Sequence, residues 1–79
     1  MQALRMEDLT LGQRLKVARQ RAGLSQQALA EAVSIGTRTL VDYEADRRPI
    51  PSDVLHRICQ HLEVSADWLL WGRSQATPP

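Results

Sequence analysis

The stretch from Ser25 to Glu44, SQQALAEAVSIGTRTLVDYE, constrains the chain most. It holds two short apolar stripes at helical spacing, separated by Ser34-Ile35-Gly36. Ser25 suits an N-cap, because its hydroxyl can accept a hydrogen bond from an unpaired first-turn N–H. Leu24 before that cap and Leu29 after it are spaced as a hydrophobic staple. Leu29, Ala30 and Val33 then share one face. Gly36 suits a second cap at little backbone strain, and Ile35 with Leu40 repeats the staple spacing. Leu40 and Tyr43 continue an inward face, whereas Thr37, Arg38, Val41 and Asp42 look outward. A mostly polar second helix that follows the first so closely suits the DNA major groove, which admits an α-helix.

The remaining chain supplies helices around this pair. Residues 1–9 show no clear period and are expected to form a flexible, partly frayed N-terminal segment. Thr10 and Gln13 fit a capping box that opens a helix over about Leu11 to Ala22. Leu11, Leu15, Ala18 and Ala22 are its expected inward face, and Arg14, Lys16 and Arg21 its exposed one. Gly23 follows as a residue able to take the left-handed conformation. Ala45 to Pro51, with two prolines and adjacent charges, is a loop. A fourth helix starts near Pro51 or Ser52 and carries Leu55, Ile58, Cys59 and Leu62 as a stripe. A short fifth helix is capped by Ser65, with Val64 and Leu69 repeating the staple a third time. It ends at Gly72, and residues 73–79 read as a tail. The boundaries are therefore 1–9, a folded domain over 10–72, and 73–79.

Seventy-nine residues allow one domain, and a chain of this size buries only roughly 60% of its unfolded surface. There is no Phe, so the core must come from aliphatic residues, Tyr43 and the two Trp. No apolar run approaches the length of a membrane span, and no basic-then-apolar leader opens the sequence. The single cysteine cannot form an internal disulfide, which suits a reducing cytoplasm. Net charge is only +1, but residues 11–48 carry seven basic and four acidic groups, while residues 49–79 carry two basic and three acidic ones. Positive charge therefore gathers on the half with the helix pair, as a phosphate-facing surface requires, although a solvated mixed-charge face has the same composition. His56, Cys59 and His61 do not converge at zinc-ligand spacing, so neither metal nor cofactor is expected. No glycine-rich phosphate loop or nucleophile elbow points to an enzyme.

The segment resembles the helix-turn-helix of the Cro/C1-type, or XRE-family, bacterial and phage repressors. Gln26 at the first helix start, Ala30 at the helix crossing, and the Tyr43-Glu44 pair carry the likeness. Val64-Ser65-x-Asp67-Trp68-Leu69-Leu70 extends it, so that it spans about Leu11 to Gly72. Two positions depart from the pattern: the turn position often held by Gly is Ser34, and the recognition helix carries Asp42, which phosphates repel. The resemblance implies an all-α, five-helix lambda-repressor-like domain that binds double-stranded DNA. It also implies a transcriptional regulator, a repressor on a palindromic operator as a homodimer, located in the cytoplasm and on the nucleoid when DNA-bound.

The same resemblance assigns roles to residues. Thr37, Arg38, Val41 and Asp42 match the base-facing positions. Arg38 can reach guanine O6 and N7, Val41 a thymine methyl, and Asp42 either cytosine N4 or Arg38 itself across one turn. Gln26, Thr39, Arg14, Arg47 and Arg48 are the expected phosphate contacts, although the last two also fit a plain solvated loop. Arg19 is expected to pair with Glu44, either as a buried bidentate pair or as two exposed charges of little consequence. Trp68, Leu70 and Trp71 are the candidate dimer interface. The alternative there is that Trp68 and Leu69 close the core, leaving Trp71 alone exposed. A second functional reading, an antitoxin-like or other protein-binding module, would use that same apolar C-terminal face.

Overall fold

The computed structural model describes residues 5–73. Five helices form the described residues: α1 (Leu11–Arg21), α2 (Gln26–Ala32), α3 (Thr37–Glu44), α4 (Ser52–Leu62) and α5 (Ala66–Trp71), preceded by a 3-10 turn at Met6–Asp8. The architecture is the lambda-repressor-like bundle, with α2 and α3 as the helix-turn-helix.

One corner is used three times. After α1, α2 and α4 the chain places a left-handed residue, then an aliphatic one, then an extended N-cap. The triplets are Gly23-Leu24-Ser25, Ser34-Ile35-Gly36 and Glu63-Val64-Ser65. In each, the aliphatic N–H donates to a carbonyl five residues back: Leu24 to Arg19, Ile35 to Ala30, and Val64 to Cys59, at 2.9 to 3.1 Å. This satisfies a carbonyl the helix end would leave open. Leu24, Ile35 and Val64 then pack against the core. The new helices open with side-chain caps where a hydroxyl is present. Ser25 Oγ accepts from Ala28 N and Ser65 Oγ from Trp68 N, each at 3.0 Å. The Thr10–Gln13 capping box forms in both directions.

The core draws a fully buried residue from every helix: Leu15, Leu29, Leu40, Ile58 and Leu69. Gly12 lets α1 approach the end of α3. A Cβ there would lie 2.5 Å from both the Tyr43 and Glu44 carbonyl oxygens. Asp46 closes the same contact, accepting from Gly12 N at 2.9 Å and from Thr10 Oγ1 at 2.5 Å. A carboxylate at the start of α1 also complements the positive end of that helix.

Three expectations need correction. Ala22 lies beyond the last turn of α1 and is exposed, because the helix ends at Arg21. Val54, not Leu55, is the buried first member of the α4 stripe, and Leu55 is half-buried. Residues 6–8, expected to fray, form the 3-10 turn and pack against the end of α5, where a Cβ on Gly72 would lie 2.6 Å from the Met6 oxygen. Residues 1–4, and all of the expected tail except Arg73, lie outside the described residues.

Candidate nucleic-acid interface

The outer face of α3 is built by what its inner face buries. Leu40, Tyr43 and Glu44 are buried, and this fixes the rotation of the helix. Thr37 and Arg38 are left exposed, with Thr39, Val41 and Asp42 on the same outer side, all three half-buried. The loop after α3 folds back beside this face. Arg47 Nη1 lies 3.3 Å from Asp42 Oδ1, and Arg48 Nη1 donates to Thr39 Oγ1 at 3.3 Å. Arg38 Nε lies 3.5 Å from the same Asp42 Oδ1, one helical turn away. Three guanidinium groups thus gather with one carboxylate around the exposed side of α3.

A buried network orients α3 from behind. Arg19 and Glu44 are each 8% exposed, and their side chains meet bidentately, Nε to Oε2 at 2.7 Å and Nη2 to Oε1 at 3.2 Å. The burial decides between the two readings of this pair. Arg19 Nη1 also donates to the Leu24 carbonyl at 2.9 Å, and Gln26 Nε2 donates to Glu44 Oε1 at 3.0 Å. One carboxylate therefore joins α1, α2 and α3. Gln26, expected at a phosphate, already commits its amide nitrogen to this network.

Arg14 is a correction. The sequence suggests an exposed phosphate contact, but Arg14 is 4% exposed and points inward. Its Nε donates to the Leu69 carbonyl at 2.7 Å and its Nη2 to that of Leu70 at 2.6 Å. Its Nη1 donates to the Met6 carbonyl at 3.0 Å and also reaches that of Leu9. These oxygens belong to α5 and to the N-terminal turn, whose partial negative charges stabilise the cation without a carboxylate. Helix periodicity missed it because Arg14 falls beside the Leu11–Leu15–Ala18 stripe, where a long arginine can swing inward. No side chain elsewhere in the sequence signals its partners. Arg57 was missed likewise: its Nε donates to the Val33 carbonyl at 3.0 Å and closes the end of α2.

At the C-terminal end, Leu69 is fully buried, Trp68 and Leu70 are half-buried, and Trp71 is 61% exposed. A groove of about 360 Å³ lies between α4 and α5, bordered by Leu55, His56, Cys59 and Val64. Burial pushes the Cys59 thiol up, which keeps it protonated near neutrality. Among the described residues, no three His, Cys, Asp or Glu side chains gather as a metal site would require. No described helix is long and apolar enough to cross a membrane.

Five helices with a short α2–α3 corner and a solvent-facing α3 define a helix-turn-helix domain of the phage-repressor type. The comparisons with known proteins agree. A helix-turn-helix domain family matches residues 10–70, and the chain belongs to this family, among the Cro/C1-type regulators. It is 44% identical over 62 residues to the HTH-type transcriptional regulator ImmR of Bacillus subtilis (strain 168), a match covering 78% of this chain. The match covers 49% of ImmR, so the chain spans about half the length of that relative. Among solved structures, SinR, the master regulator for biofilm formation, in complex with DNA superposes with a TM-score of 0.71 at 31% identity. That match covers 76% of this chain and 97% of the SinR chain. SinR also appears in a complex with SinI, at a TM-score of 0.74 and 27% identity, over 87% of this chain and 68% of that one. The P22 c2 repressor in complex with a synthetic operator gives a TM-score of 0.79 over 82% of this chain and 98% of that one. Its 23% identity makes it a likeness of fold.

Proposed function

We propose that this chain is the sequence-specific DNA-binding domain of a transcriptional regulator of the repressor type, acting in the cytoplasm on double-stranded DNA. The observation that carries this reading is the division of α3. Its inner face is fixed by the Arg19–Glu44–Gln26 network, and its outer face presents Thr37, Arg38, Val41 and Asp42, flanked by Arg47 and Arg48. SinR, solved in complex with DNA, supports it, and the P22 c2 repressor supports the fold on which it rests. In this reading α3 enters the major groove. Arg38 addresses a guanine edge, Thr37 a base or phosphate, and Val41 a thymine methyl. Gln26, Thr39, Arg47 and Arg48 approach phosphates, helped by the positive end of α2 at Gln26.

A single module contacts few bases, so the working form is read as a homodimer on a palindrome. Exposed Trp71, with half-buried Trp68 and Leu70, supplies the apolar surface for it. SinR, solved in complex with SinI, is a regulator of this fold that also holds a protein partner, and the same end of α5 is where such a partner would dock here. The chain works by binding rather than by catalysis.

Selection from a random duplex pool at near-physiological salt, then titration of the winner against scrambled DNA, tests the reading. The expected result is a palindromic consensus bound at least about 10³-fold better than scrambled sequence. Weak, salt-sensitive and sequence-blind binding would overturn it. Arg38→Ala should relax the preference at one base pair, and an unchanged consensus would remove its base-reading role. Arg47→Ala should weaken all sequences alike and flatten the salt dependence.

A further inference from the structure

Between Thr37 and Arg48 the chain carries three acids, and two of them are engaged away from the outer face of α3. Glu44 is held by Arg19 and Gln26, and Asp46 by Thr10 and the Gly12 N–H. Asp42 alone remains on the outer face, and it takes two arginines at once. Arg38 Nε and Arg47 Nη1 both approach its Oδ1, at 3.5 and 3.3 Å. No side-chain hydrogen bond among the described residues reaches Oδ2. The partners are unequal. The Asp42 side chain is 22% exposed, whereas those of Arg38 and Arg47 are 82% and 61% exposed. The long arginines can swing into water or toward a phosphate, but the short carboxylate stays where α3 puts it.

The geometry points to Asp42 as a specificity-determining residue that suppresses binding to generic duplex. This rests on the DNA-binding reading above and deepens it. On an arbitrary sequence, Arg38 and Arg47 reach phosphates only by leaving Asp42, and its carboxylate then faces the phosphate backbone unpaired. The repulsion offsets part of what the new contacts contribute. A site that places a cytosine amino group opposite Asp42 removes the conflict, because N4–H₂ donates to the carboxylate. Asp42 therefore trades general affinity for discrimination, and the amino group of cytosine is the feature it selects.

The test titrates the parent and Asp42→Asn on the selected operator and on scrambled duplex between about 50 and 200 mM salt. Asn keeps the shape and one acceptor but removes the charge. Freeing one arginine for a phosphate steepens the log–log salt slope by about 0.9, so the variant should bind scrambled DNA more tightly, most at low salt. Over that fourfold range of salt, one added contact is worth about a threefold change in affinity. The preference for cytosine at one position should fall about tenfold in a repeated selection. Asp42→Ala repeats the test with a better helix former, and a circular-dichroism melt checks that each variant folds. A parent that binds specifically while both variants keep its slope, scrambled-DNA affinity and consensus overturns the role of Asp42 alone. Equal weakening on both duplexes overturns it too, and would make Asp42 a support for its arginines. A parent that binds no duplex overturns the DNA-binding reading and this inference together.

Discussion

Arg14 and Arg19 stand five residues apart on one helix, both buried, and their surroundings solve the same problem in opposite ways. Arg19 meets a carboxylate, so its charge is neutralised by another side chain. Arg14 meets four backbone carbonyls from α5 and the N-terminal turn, so dipoles alone hold its charge. The first arrangement aims α3 at its ligand. The second ties the N-terminal turn to α5 behind it. A side-chain pair can be exchanged for another pair by mutation, whereas a carbonyl cage cannot be mutated and depends on the backbone being in place.

The largest effect is expected at the first region. Arg19→Ala leaves Glu44 buried with only Gln26, at a cost of about 3–5 kcal/mol. Per-residue norms give a domain of this length about 4–12 kcal/mol in all, so the loss is a large share of the total and the variant should melt well below the parent by circular dichroism. A melt equal to the parent's would refute the buried pair. The joint replacement Arg19→Met with Glu44→Leu should recover most of that loss, since exchanging a buried pair for apolar residues is often neutral or better. Arg14→Met should be nearly as damaging as Arg19→Ala, at about 3 kcal/mol, because charge-assisted hydrogen bonds are lost together. No second substitution should rescue it, and a single-site suppressor found in a library would break the contrast.

That contrast also explains what was legible in the sequence. Arg19 and Glu44 match two positions of the Cro/C1-type pattern, so the resemblance implies the pair, although their spacing alone does not. Arg14 bonds to Met6, Leu9, Leu69 and Leu70 through atoms every residue possesses, and no composition rule distinguishes those four. Four helix starts were legible because Thr10, Ser25, Gly36 and Ser65 each cap beside a staple or a capping-box partner. The Asp46 contact to Gly12 was not, since it spans 34 residues and joins a loop to a first turn with no shared periodicity. The outward set on α3 was legible from Leu40 and Tyr43 alone. The double engagement of Asp42 needs the loop to fold back, and no periodicity in the sequence encodes that return.

Smaller effects sharpen the comparison further. Gly12→Ala pushes a methyl against the Tyr43 and Glu44 carbonyls and should cost about 1–3 kcal/mol, read as a lower melting temperature. Its effect should combine non-additively with Arg19→Ala, because both act where α1 meets the end of α3. Trp71→Ala should change monomer stability by no more than about 0.5 kcal/mol, since the ring is mostly in water. If α5 forms the dimer contact, the same variant should shift sedimentation toward monomer. A parent mass that stays monomeric at every concentration would remove that interface.

Ser34, Asp46 and Glu63 all stand at φ near +60°, where glycine is the residue without strain. Asp46 is needed there for its side chain, but no hydrogen bond from the side chain of Ser34 or Glu63 is seen among the described residues. Glycine at those two corners should raise stability by about 1 kcal/mol each. A chain so modified could accept more changes on the outside of α3 before unfolding. The two corners thus govern how freely the recognition surface can be rewritten, by selection or by design, without touching a residue that faces the ligand.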